Sequence, residues 1–232
     1  MLGRFYRQTS LWANTMKESE HKQVAAALES ALGRCRTMVD GWPAVIDLVA
    51  PRRKGGRAIE SGIPAAWEDP KRLLEIPRQQ LAEQLEGDRR SGKQAVILQK
   101  LADWWRNLTR NVDVRLALNE RSLRQLEDIS GISQEMADRI CLFALGKPVA
   151  PVGRAALRIG CRHGWGELES DREEWQHWLR HWSDVADVDL AQLVTWIDQV
   201  GDQWCRPKPQ CDGCPLASFL PPGGPREPGG DD

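Results

Sequence analysis

No stretch of this sequence is apolar for long enough to cross a bilayer or to form the hydrophobic part of a secretory leader, and that includes the opening MLGRFYRQTSLWANTMKESEHK. A soluble, cytoplasmic protein with reduced thiols is therefore expected. Cysteine is sparse: six in 232 residues exclude a disulfide scaffold, and a chain of this length buries a core without one. Neither charge sign is in excess. With 32 Lys and Arg against 33 Asp and Glu, the net charge is −1, so any nucleic-acid face must be a local basic patch. Tyrosine occurs once and phenylalanine three times, against eleven tryptophans. Several of these, such as Trp104 and Trp105, or Trp175, Trp178 and Trp182, sit at helical spacing, where rings cover a core; base stacking is the other use of such residues.

Segments that alternate as strands do are also few, and apolar residues recur three and four apart, so the chain reads as all-helical. ESEHKQVAAALESALGRCRTM predicts a first helix with Val24, Ala27, Leu28, Ala31 and Leu32 on one stripe. APRRKGGRAIESGIPAA is rich in breakers and predicts a loop exposing Arg52, Arg53, Lys54 and Arg57, either to phosphate or simply to water. Asp69-Pro70 opens a further helix, and Ser91 can cap SGKQAVILQKLADWWRNL. The end of the chain, residues 217–232 with PPGGPREPGGDD, has almost nothing to bury and is expected to be disordered.

The most informative segment is LRQLEDISGISQEMADRICLFALGKPVAPVGRAALRIGCR. Leu123, Leu126 and Ile129 end one helix, Gly131 supplies a turn that tolerates positive φ, and Ser133 caps a second helix that Gly146 and Pro148 stop. Two short helices joined by SGIS form a helix-hairpin-helix. Backbone N–H groups at Gly131, Ile132 and Ser133 are then candidates for holding a DNA phosphate. Arg154, Arg158 and Arg162 follow at intervals of four, which predicts one basic helical face for a duplex backbone.

The order of these parts, together with the final WIDQVGDQWCRPKPQCDGC, resembles the helix-hairpin-helix DNA glycosylase superfamily, and endonuclease III in particular, from about residue 20 to about residue 216. The resemblance implies an all-α, two-lobed fold. Residues 1–39 would carry a helix packing with the C-terminal lobe, 40–152 a lobe holding the hairpin at about 123–145, and 153–216 the C-terminal lobe with its cysteine loop at 205–214. It implies duplex DNA, damaged or abasic, as the partner. Two positions depart from the family. Where bifunctional members carry a nucleophilic lysine this chain has Glu135, which cannot form a Schiff base, and where the family has its aspartate it has Gly153. The nearest acid besides Glu135 is Asp138. The expectation is a DNA-binding member lacking the usual glycosylase and lyase catalysis. The alternatives are an active glycosylase using a displaced acid such as Asp138 or Glu135, and an interaction protein that kept the fold without DNA.

Cys205, Cys211 and Cys214 resemble the first three ligands of the family's C-terminal 4Fe-4S loop, but Ser218 and Phe219 stand where the fourth cysteine is expected. Cys35, at the end of the first helix, is a candidate fourth ligand; Cys141 reads as a buried thiol and Cys161 falls in the hairpin half. A vestigial site, a cluster with an unusual fourth position, and a zinc site with His177 or His181 all stay open. Arg206 and Lys208 lie within the loop, where the resemblance implies contact with DNA.

Overall fold

The computed structural model describes residues 16–34, 41–50, 64–85, 91–110 and 119–226. Among them there is no strand, and no helix is long and apolar enough to cross a membrane. The helices are α1 (Glu18–Leu32), α2 (Gly41–Val49), α3 (Pro70–Glu75), α4 (Arg78–Gln84), α5 (Ser91–Leu108), α6 (Glu120–Glu127), α7 (Gln134–Arg139), α8 (Arg154–His163), α9 (Arg172–Ala186) and α10 (Leu190–Gln203). They fall into two compact units, one within Met38–Val149 and the other formed by Met1–Thr37 together with Ala150–Asp232. The basic stretch with Arg52, Arg53, Lys54 and Arg57 lies outside the described residues.

In the first unit α5 is the spine. Its Ala95, Leu98, Leu101, Ala102, Trp104 and Trp105 are buried, and α3 and α4 pack along it. Asp69 caps α3 by accepting from the Lys71 N–H at 2.8 Å, with Pro70 in the first turn where its missing N–H costs nothing. The tryptophans here serve the core and also satisfy backbone. Trp42 Nε1 donates to the Trp67 carbonyl at 2.7 Å, Trp67 Nε1 to Gln84 Oε1 at 2.9 Å, and Trp104 Nε1 to the Ser122 carbonyl at 2.9 Å.

In the second unit α1 packs on α9, and α8 on α10. The buried stripe of α1 is His21, Val24, Ala25 and Leu28, turned from the predicted one, because Ala31 is exposed. Tertiary partners select which of two adjacent apolar faces goes inward. Trp165, Trp175, Trp178 and Trp182 form one aromatic cluster, with Trp182 Nε1 donating to the His21 carbonyl at 3.2 Å. Trp42, Trp67, Trp104, Trp105, Trp165, Trp175, Trp178, Trp182 and Trp196 are all buried, so helix packing accounts for them and base stacking does not. Two glycines allow the close packing: a Cβ at Gly201 would stand 2.5 Å from the Cβ of Ala155, and one at Gly160 would stand 2.5 Å from the Trp175 ring. The expected disorder does not extend over residues 217–226. Leu216 is buried, Ala217–Phe219 forms a 3₁₀ turn, and the Arg226 N–H donates to the Arg162 carbonyl at 3.0 Å.

Candidate functional site

The hairpin is built as its residues require. Asn119 caps α6 by accepting from the N–H groups of Arg121 and Ser122, both at 3.0 Å, while Ser122 Oγ accepts from the Asn119 N–H at 2.9 Å. After α6 the chain reverses, with the Ile132 N–H donating to the Ile129 carbonyl at 2.9 Å. Gly131 has φ +100°, and a Cβ there would stand 2.5 Å from Ile97 Cδ1, so both conformation and space call for glycine. Ser133 caps α7 as expected, accepting from the Met136 N–H at 3.2 Å. A π turn, Ile140–Ala144, continues α7 into the core.

Gly131 and Ser133 are exposed, whereas Ile132 is half-buried and its N–H already serves the turn. The N–H groups of Gly131, Ser133 and Gln134 have no backbone acceptor among the described residues. Glu135 accepts from Arg139 Nε at 3.0 Å one turn along α7. Asp138 is buried, only 4% exposed. Beside it the Cys141 thiol is pushed up to about 12, chiefly by burial and then by the Asp138 charge, which leaves it inert. Gly153 starts α8 at φ −96°, a conformation open to any residue, and contributes no side-chain chemistry.

The arginine face of α8 differs from its prediction. The three residues share a side of the helix, but that side meets the cysteine loop. Arg158 Nε donates to the Cys205 carbonyl at 2.8 Å. Arg162, 3% exposed, donates through Nη1 to the Arg206 carbonyl at 2.6 Å and to Cys205 Sγ at 3.3 Å, and through Nη2 to the Pro207 carbonyl at 2.7 Å. Its planar fork suits converging carbonyls better than it suits one phosphate already shielded from reach. Arg154 alone of the three is exposed and Arg158 is half-buried, while at Arg162, which is buried, the predicted DNA contact is corrected to support of the loop.

Within the loop Cys205 is buried and Cys211 and Cys214 are half-buried, while Arg206 and Lys208 are exposed. Arg206 Nε donates to the Asp202 carbonyl at 2.7 Å. Cys205, Cys211 and Cys214 all line one cavity of about 20 Å³, whose walls also include Arg162, His163 and Leu220. The Cys214 thiol is pushed up by burial, opposed by the Leu216 N–H that donates to its sulfur at 3.4 Å. Among the described residues no group of three or more His, Cys, Asp and Glu side chains is arranged to hold a single metal ion as it stands. Cys35 lies outside the described residues. His177 and His181 do not line this cavity; they are exposed on α9, stacked with ring centroids 6.3 Å apart, so the predicted zinc partners are not beside the cysteines.

The three cysteines are the residues here that a thiolate-bound metal group would use. Arg162 is a buried cation whose Nε has no partner, and its nearest hydrogen-bonded group able to carry negative charge is the sulfur of Cys205. A buried guanidinium requires such a counter-charge, which metal-bound sulfur supplies. His163 was missed from sequence. It lies 42 residues before Cys205, outside any cysteine spacing, and only the packing of α8 against the loop brings them together. It is buried, with Nδ1 2.9 Å from the Ile159 carbonyl oxygen and Nε2 3.2 Å from that of Leu216. Burial holds its imidazole below the usual range, against both carbonyl contacts and with a smaller contribution from Arg162.

No family model matches the chain, and no curated protein matches it. Solved structures do. A thermostable thymine-DNA glycosylase is 18% identical, with TM-score 0.65, over 88% of this chain and 97% of its own. A trapped endonuclease III–DNA covalent intermediate and a non-covalent endonuclease III–DNA complex are each 15% identical, with TM-scores of 0.60 and 0.61, over 88% of this chain and 96% and 95% of theirs. The chain has the all-helical fold of the endonuclease III-like helix-hairpin-helix DNA glycosylases.

Proposed function

We propose that this chain binds duplex DNA, damaged or abasic, as a member of the endonuclease III-like base-excision-repair proteins that lacks the usual glycosylase and lyase chemistry. The observation that carries the reading is the hairpin turn, exposed at Gly131 and Ser133, where the N–H groups of Gly131, Ser133 and Gln134 have no backbone acceptor among the described residues. Arg154, Arg206 and Lys208 are exposed cations that add phosphate contacts in the same role. The loss of chemistry rests on Glu135, whose carboxylate is ion-paired to Arg139, and on Gly153. The buried Asp138 is poorly suited to replace either. We further propose that Cys205, Cys211 and Cys214 hold an iron–sulfur cluster, whose chemistry when bound is to fix the loop that presents Arg206 and Lys208.

The test is a native gel shift with a duplex carrying one abasic site, run beside the same mixture trapped with borohydride. The expected result is a shift that weakens steeply with salt, as counterion release requires, and no covalent band. A covalent band would show that an amine still attacks the sugar and would overturn the loss of lyase chemistry. The absence of any shift at low salt would make this an interaction protein on a glycosylase fold.

A further inference from the structure

Two of the three loop cysteines are the ends of one tight turn. Cys211, Asp212, Gly213 and Cys214 are closed into it by the Cys214 N–H, which donates to the Cys211 carbonyl at 3.0 Å. Gly213, third in the turn, has φ +76°, a conformation that glycine adopts without the strain a Cβ brings. A turn of this kind holds its end Cα atoms less than about 7 Å apart, and a disulfide spans Cα atoms about 4.4–6.8 Å apart. Both cysteines also line the same cavity of about 20 Å³.

The third cysteine is held out of this pair. The Cys205 N–H donates to the Val200 carbonyl at 2.8 Å, its carbonyl accepts from Arg158 Nε at 2.8 Å, and its sulfur accepts from Arg162 Nη1 at 3.3 Å. Its backbone and its sulfur are all engaged. Reach from solvent differs in the same sense: Cys211 and Cys214 are half-buried beside the exposed Asp212 and Gly213, whereas Cys205, Cys141 and Cys161 are buried. We infer that Cys211 and Cys214 are a reversible dithiol–disulfide site whose reaction partner is a small-molecule disulfide. Neither DNA nor metal is needed for it, and a metal group on these two sulfurs excludes the disulfide.

The exchange balances in two steps. Cys211, as thiolate, attacks one sulfur of the small disulfide; a mixed disulfide forms, and the small thiolate released takes up the proton that Cys211 lost. Cys214 then gives up its proton and attacks the Cys211 sulfur, and the second small thiol leaves. Two protein thiols are oxidised and one disulfide is reduced to two thiols. Burial, with smaller contributions from Cys205 and Cys211, holds the Cys214 thiol above its ordinary value despite the Leu216 N–H, so Cys214 suits the second step, where the bond it attacks is already beside it.

The experiment exposes the full chain, reduced and stripped of metal by a chelator, to glutathione disulfide. After acid quenching and capping of free thiols, cleavage before Asp202 and Asp212 puts Cys211 and Cys214 on separate peptides for mass spectrometry. The two peptides should stay joined until reduced, with the mixed adduct at about a tenth of the product or less, because closure is intramolecular. Cys205→Ser should give the same joined product. Cys214→Ser should stop at one glutathione on Cys211, and Cys211→Ser should not close. If Cys205→Ser does not fold, fragmentation of the joined wild-type peptides identifies the bonded sulfurs. A bond that uses Cys205, a mixed adduct on Cys211 that accumulates without closing, or a folded chain whose two turn thiols stay free while the denatured chain reacts, overturns the inference.

Discussion

Replacing Gly131 by alanine tests whether the hairpin turn is as tightly specified as its geometry states. Two costs add. The first is conformational: φ is +100°, and holding a residue with a Cβ in so sparsely populated a region costs about 1–3 kcal/mol. The second is steric, because the new methyl would stand 2.5 Å from Ile97 Cδ1 and 3.0 Å from its Cγ1. The contact is with the far end of a flexible side chain, so it is relieved by moving Ile97 off its rotamer, at about 0.5–1.5 kcal/mol. The sum is about 1.5–4.5 kcal/mol, against about 5–15 kcal/mol for a typical domain, so the variant should fold but be clearly weakened. Gly146 is the internal control. Its φ is +62° and nothing lies within 4 Å of its Cβ position, so Gly146→Ala should carry the conformational cost alone, about 1–2 kcal/mol. The gain from a less flexible unfolded chain is common to both substitutions and cancels in the comparison. Urea denaturation with unchanged slopes gives the two stabilities. Equal losses for the two variants, or a loss at Gly131 below about 1 kcal/mol, would refute the reasoning that the turn is defined by both conformation and space.

Other consequences are equally open to measurement. Arg154→Ala should leave the melting temperature unchanged, weaken binding to all duplexes alike and lower the salt slope by about 0.9, the share of a single phosphate contact; an unchanged slope would remove Arg154 from the interface. Cys141 has its pKa raised on folding, so the native state keeps a proton that the unfolded state releases, and the stability it contributes is present below pH 9 and lost as pH rises toward about 12. Cys141→Ala should flatten the fall in the denaturation midpoint across that window. His21 has its pKa lowered, chiefly by burial and then by His181 against the Lys17 carbonyl and Glu20, so the unfolded state takes up a proton first as pH falls below 6.5. Stability should therefore drop on acidification through that range, and a wild-type proton-titration curve for His21 lying at or above 6.5 would contradict this.

Much of this protein can be read directly from its residues, and what cannot be read has one cause. Helical periodicity marks α5, α7 and α8 because apolar burial along one stripe repeats with the turn of the helix. Gly131 and Ser133 mark the hairpin because positive φ and a free helix N-terminus are local demands that few residue types meet. Periodicity says which residues share a face, however, and not what that face meets. Arg154, Arg158 and Arg162 are one stripe in sequence, but only the docking of the cysteine loop on α8 separates an exposed Arg154 from a buried Arg162. The buried face of α1 was likewise chosen by its partner, which took Ala25 inward and left Ala31 outside. The union of His163 with Cys205, Cys211 and Cys214 is wholly tertiary, because helix packing brings together donors 42 or more positions apart and no spacing along the chain encodes that meeting.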